Sequence, residues 1–217
     1  MQHPRFLPRS VSLSSLAPLL VAILVLSHGA TLRAAGVFGV VTFDERPFQS
    51  VDGLEVAGVT FSYTIDDAPS PEAFFGSFGP GQLNHVNDPS LLGDAAGVLR
   101  MDFDEPVVAV SFGVALNKGE DIDAGVVVTM LNEQNASLDA LELDTVADDP
   151  LRFSEARFDY VGAPVAAIEL RFTSSVERFA VDNLEFSIPE PASLSTIVGA
   201  VTVAAARRRR RNSRRVA

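Results

Sequence analysis

Leu99-Arg100-Met101-Asp102-Phe103 decides the fold class, together with the stripe Val108, Val110, Phe112, Val114 and Leu116 that follows it. In the first stretch apolar and charged side chains alternate, the period of a strand buried on one face. The second stripe keeps the same period. Working outward, Val59, Phe61, Tyr63 and Ile65 share one face against Thr60, Ser62 and Thr64, and Ile168, Leu170 and Phe172 alternate with Glu169 and Arg171. Shorter strands fit residues 37–43, 125–131, 138–143 and 151–158. The turns Asn117-Lys118-Gly119, Asn132-Glu133-Gln134-Asn135, Asp148-Asp149-Pro150 and Gly162-Ala163-Pro164 separate them. No stretch of adequate length carries a helical period. Eight or nine short strands predict an all-β, antiparallel β-sandwich of jelly-roll type over residues 36–187. Residues 66–95, with four prolines, read as one long irregular loop.

Both ends of the chain read differently. Arg5 and Arg9 precede an apolar run over 11–26, and small residues follow at Ser27-His28-Gly29-Ala30 and Ala34-Ala35-Gly36. That is the layout of a secretory signal peptide over residues 1–35, with cleavage between 29 and 35. An uncleaved N-terminal anchor is the alternative. At the other end, Pro189-Glu190-Pro191 ends the last strand, because proline fixes φ and lacks an amide donor. Residues 193–206 carry no charge and Arg207, Arg208, Arg209, Arg210 and Arg211 follow, with Arg214 and Arg215 behind. The apolar run is 14 residues, about 21 Å as a helix, where a comfortable membrane span takes about 20 residues. The arginine block stays on the cytoplasmic side.

This order resembles the PEP-CTERM sorting signal, a Pro-Glu-Pro tripeptide, a short hydrophobic helix and a basic cluster. The resemblance implies export, a transient stay in the inner membrane, processing near Pro189-Glu190-Pro191 by an exosortase-type membrane transpeptidase, and delivery to the cell surface or exopolysaccharide matrix. A plain tail anchor is the alternative reading of the same residues.

Charge separates by segment. The chain as a whole carries −11, yet residues 36–187 carry 27 acids against 7 Lys and Arg, a net −20. Such a domain is repelled by nucleic-acid phosphates and anionic lipid headgroups; no nucleic-acid partner is expected. Cations, cationic surfaces or neutral glycans remain. The chain has no cysteine, so an exported domain relies on its core or on bound ions.

The closing strand breaks register. Phe179 and Val181 are apolar at odd positions, Leu184 and Phe186 at even ones, and a bulge at Asp182-Asn183 reconciles them. Asp182 then points outward at a rim. With first and last strands side by side, Asp44 and Glu45 become its neighbours, and three carboxylates together suit a structural calcium ion. Glu120-Asp121-Ile122-Asp123 lacks the spacing of a calcium loop and reads as an acidic turn. Val41-Thr42-Phe43-Asp44-Glu45 and Arg178 to Phe186 together resemble extracellular lectin-like or carbohydrate-binding-module-like jelly rolls, which implies a glycan ligand. Sugar sites present aromatic platforms. Tryptophan is absent, and Phe74, Phe75 and Phe78 are the phenylalanines outside the strand stripes. Exposed, they form a contact patch; folded inward, they plug the sandwich end. Enzyme signatures are thin: no G-x-S-x-G, no H-E-x-x-H, no P-loop, and one histidine, His85, within residues 36–187, while the 27 acids leave room for a carboxylate pair of the glycoside-hydrolase kind. The expectation is a structural, adhesive or glycan-binding protein rather than an enzyme, with a secreted polysaccharide hydrolase as the competing class.

Overall fold

A computed structural model of the chain describes residues 36–148 and 152–189. The expected signal peptide, the apolar run 193–206, Glu190, Pro191 and Arg207 to Arg211 lie outside the described residues; Pro189 is the exposed residue just past the last strand. Twelve strands run in chain order: β1 Val37–Val41, β2 Gln49–Ser50, β3 Leu54–Val56, β4 Val59–Ile65, β5 Ala68–Pro69, β6 Ala73–Ser77, β7 Ser90–Asp94, β8 Val98–Leu116, β9 Ile122–Leu131, β10 Ser137–Asp148, β11 Phe153–Phe172 and β12 Arg178–Ile188. There is no helix among the described residues, and every pairing is antiparallel.

The hydrogen-bonded network is continuous, yet it folds into two layers. Tyr63 pairs with Leu99 at the start of β8 and Phe179 with Leu116 at its end. A straight strand would hold those levels about 55 Å apart at roughly 3.3 Å per residue, but the Tyr63 and Phe179 rings are 6.1 Å apart. The chain therefore doubles back. Strand β8 bends at exposed Asp104-Glu105, and β11 at exposed Gly162-Ala163-Pro164, where its register against β8 shifts. Strands that pass from one layer to the other through such bends make the corners of a sandwich. Layer one holds β4, the first half of β8, the second half of β11, β9 and β10. Layer two holds the first half of β11, the second half of β8, β12, then β7 and β1 end to end, and β6.

Between the layers lies a core of stacked and tilted rings. Phe103 meets Phe186 at 5.3 Å, Phe172 stacks on Phe179 at 4.0 Å, and Phe43 touches both Phe61 and Phe75. This is the expected all-β antiparallel sandwich, with three departures. The stretches read as separate strands on either side of residue 105 are one bent strand, and so are those on either side of Gly162-Ala163-Pro164, which lies inside β11 rather than in a turn between strands. Val108 stays out of the core, because the odd-position stripe carries on through the bend to buried Val107 and switches to even positions only at Val110. Residues 66–95 are not one irregular loop: they contain β5, β6, β7 and a hairpin tip.

Candidate functional site

The outer face of layer two organises the polar chemistry. Side chains opposite one another in neighbouring strands share a face, and the registers define a row Phe74–Leu92–Ala180–Ala115–Glu155 across β6, β7, β12, β8 and β11. A hairpin over residues 79–88 lies on this row. It closes through Leu83 N–H to Val86 O and Asp88 N–H to Gly81 O, and Asp88 accepts from the Gly79 and Gly81 amides. Leu83 and Val86 pack down on Leu92, Ala115 and Ala180 as a small apolar cluster. Gly113 lies directly beneath: a Cβ there would sit 2.0 Å from the His85 carbonyl oxygen, so no other residue admits the hairpin.

Two buried carboxylates hold the hairpin. Glu155, 6 % exposed, accepts from Asn84 N–H at 3.1 Å, Asn84 Nδ2 at 2.7 Å and His85 N–H at 2.8 Å. Asp182, 3 % exposed, accepts from Asn87 N–H at 2.9 Å, from its neighbour's amide Asn183 N–H at 2.7 Å and from Asn183 Nδ2 at 2.9 Å. The bulge forecast at Asp182-Asn183 is present, with a register shift against β8 and Asn183 at φ 54°. The outward orientation forecast for Asp182 is not. The bulge turns its carboxylate beneath the hairpin, where backbone donors need an acceptor.

Strand β1 continues the edge of β12 that β7 begins, so the chain leaves β1 at the bulge. Asp44 and Glu45 fold back on Thr42, which donates from Oγ1 to Asp44 at 2.6 Å and from N–H to Glu45 at 2.6 Å. Burial pushes the Asp182 carboxyl up to about 6. The Glu45 and Asp44 carboxylates add to the rise, and the Asn87 and Asn183 amide donors oppose it. The three acids forecast to meet are thus close enough to feel one another. Among the described residues no group of three or more His, Asp or Glu side chains converges as a metal cage, and both Asp182 oxygens already face N–H donors. The acidic turn at Glu120 to Asp123 pairs Glu120 with Lys118, and Asp121 accepts from Ala147 N–H.

The three phenylalanines forecast as one unit part ways. Phe75 is fully buried against Phe43 and Phe61, so it belongs to the core and is not a ligand contact. Phe78 is 80 % exposed. Half-buried Phe74 points to the outer face and stacks on Phe48, rings 5.0 Å apart and 13° from parallel, with Phe48 itself 62 % exposed. The split between Phe74 and Phe75 is the alternation of neighbours on one strand; beyond them β6 bulges at Gly76, which takes φ 67° beneath the crossing chain 46–48. Phe48 carried no sequence signal, because it stands in a turn without period.

A cleft of about 370 Å³ opens beside the hairpin tip, lined by Asn84, His85, Asp144, Val146, Glu155 and Arg157 among others. His85 is half-buried there and its backbone carbonyl accepts from Asn183 Nδ2 at 3.2 Å. Glu155 was invisible in the sequence: it is one acid among many on a strand, and its partners are some 70 residues away.

No family model matches the chain, and no curated protein matches it. Among solved structures, it is similar to a carbohydrate binding module of family 29, at 9 % identity over 71 % of this chain and 90 % of that one, TM-score 0.38. It is similar to the K2 cleaved adhesin domain of Lys-gingipain, at 10 % identity over 70 % of this chain and 100 % of that one, TM-score 0.41. A Clostridium thermocellum endo-1,4-beta-D-xylanase, complexed with xylohexaose, matches at 13 % identity over 73 % of this chain and 29 % of that one, TM-score 0.37. At these values the likeness carries no residue, ligand or activity across to this chain.

Proposed function

We propose that this chain is exported, held briefly at the inner membrane by its tail, processed by an exosortase-type transpeptidase and delivered to the cell surface or exopolysaccharide matrix, where its sandwich binds a neutral glycan without catalysing a reaction. The observation that carries the binding reading is the exposed Phe48–Phe74 stack with Phe78 nearby in sequence. Solvent-facing rings cost apolar exposure with no packing gain, and stacked faces offer a platform to the C–H face of a sugar ring. The net −20 of the domain fits an uncharged polysaccharide better than an acidic one. A structural calcium ion at Asp44, Glu45 and Asp182 belongs to the same proposal.

The test is retention on the host's own exopolysaccharide. The Phe48→Ala, Phe78→Ala double variant should elute early with a melting temperature lowered only slightly, by loss of the Phe48–Phe74 stack worth about 0.5–1.5 kcal/mol. Equal retention of variant and wild type removes the aromatic site. Release of reducing sugar in the same assay replaces the binder with a hydrolase. Replacing Pro189, Glu190 and Pro191 by alanine should leave unprocessed chain in the inner membrane; surface material that still contains Arg207 to Arg211 in the wild type ends the sorting reading.

A further inference from the structure

Beyond the hairpin, no described strand or loop covers the outer face of layer two. The registers align Phe38, Ser187, Ala109 and Val161 in one row across β1, β12, β8 and β11, with Val40 one step along β1. Phe38 is 61 % exposed, Val40 42 % and Val161 83 %. The row spans three strand spacings, about 14 Å. Its middle is made of small side chains, so Phe38 and Val161 stand at its ends as two apolar prongs.

We propose that this patch rests in the interfacial region of a neutral, zwitterionic bilayer while the C-terminal segment is in the membrane. The inference rests on the export reading above, and three observations carry it. First, both ends of the domain leave from this corner: Val37 pairs with Ile188, next to the Phe38–Ser187 pair. Second, the chain from Ile188 to uncharged Leu194 is six residues, at most about 20 Å when extended. With Pro189 and Pro191 stiffening it, a membrane-inserted segment beginning there keeps this end of the sandwich, and no other, at the bilayer surface. Third, the flanking charges select the lipid. Glu185 and Asp159 lie in the adjoining row, and Arg157 is already paired with Asp159. No free cation is left in that row to attract anionic headgroups, and apolar prongs entering a headgroup boundary to about 5–10 Å need none. Seated this way, Pro189 is pressed against the membrane plane, where a membrane-embedded transpeptidase meets it.

The chain has no tryptophan, so Phe38→Trp and Val161→Trp each create a single reporter, and Phe78→Trp, outside the patch, is the control. The full chain is reconstituted in phosphatidylcholine vesicles, with and without brominated acyl chains. Expected are blue-shifted emission and bromine quenching at positions 38 and 161, and water-like, unquenched emission at position 78. Chain that floats with the vesicles but shows water-like emission at both patch positions overturns the seat and leaves the membrane-held tail standing. Chain that does not float with the vesicles overturns both. A blue shift that grows with protein concentration and ignores the bromines assigns the patch to a second copy of the chain instead.

Discussion

At Ala115 and Ala180 the outer face of layer two is sealed beneath the hairpin, whereas at Ala109 and Ser187, on the same two strands, it lies open. Small side chains permit a cover in both places, so they do not explain the difference. Acceptors do. A covering loop brings backbone N–H groups that lose water and need partners. On the sealed half, Glu155 and Asp182 supply four oxygens to the hairpin and the bulge. On the open half, the nearest acids are Glu185 and Asp159, both turned to Arg157 and the solvent. Burying two carboxylates is the condition for burying a loop.

Glu155 carries the largest expected effect. Glu155→Ala removes three hydrogen bonds from exposed Asn84 and half-buried His85 to a buried carboxylate, each worth about 1 kcal/mol net. The expected result is a loss of several kcal/mol in chemical denaturation and loss of hydrogen-exchange protection at residues 84 and 85. Val161→Ala, on the open half, should stay within about 0.5 kcal/mol. Equal losses for the two would mean the hairpin contributes nothing.

Asp182 sharpens the comparison through pH. Its folded pKa of about 6 lies above the ordinary 3.8, so the native state holds the proton more tightly than the unfolded chain. This carboxyl's contribution to stability therefore rises as pH falls from above 6 towards 4, and is lost as pH rises through 6. Asp182→Asn should flatten that segment of the stability–pH curve, while its single acceptor oxygen leaves one of the donors now facing Asp182 unpaired. A variant that keeps the wild-type slope between pH 4 and 6 assigns the dependence to other acids.

The smallest effect concerns calcium. Millimolar calcium, against chelator at fixed ionic strength, should raise the melting temperature slightly at pH 7, and Asp182→Asn should abolish the rise. Identical melting curves remove the ion from the proposal.

These contrasts also mark what the chain discloses before it folds. The alternation at Leu99 to Phe103 and the odd-to-even switch at Asp182-Asn183 are local, so strands and bulge can be read from residues a few positions apart; the approach of Asp44 and Glu45 to Asp182 depends on the first and last strands pairing. Phe74 and Phe75 defeat the same reading. They are neighbours on one short strand, so period two sends one ring inward and the other out, and the glycine bulge that follows at Gly76 hides the strand itself. Glu155 and the hairpin tip are joined across some 70 residues by backbone donors, a class of contact in which side-chain identity on one partner is silent.

Strand β12 has a mechanical consequence. It is the last strand before the tail and is paired on both sides, to β8 along one edge and to β7 and β1 along the other. A pull on Pro189 runs down its axis. The ladders on its two flanks are then loaded in shear together rather than opened one bond at a time. A protein fixed to its surroundings through this end hangs from inside its own sheet, and tension from the tail meets a strand clamped along both edges.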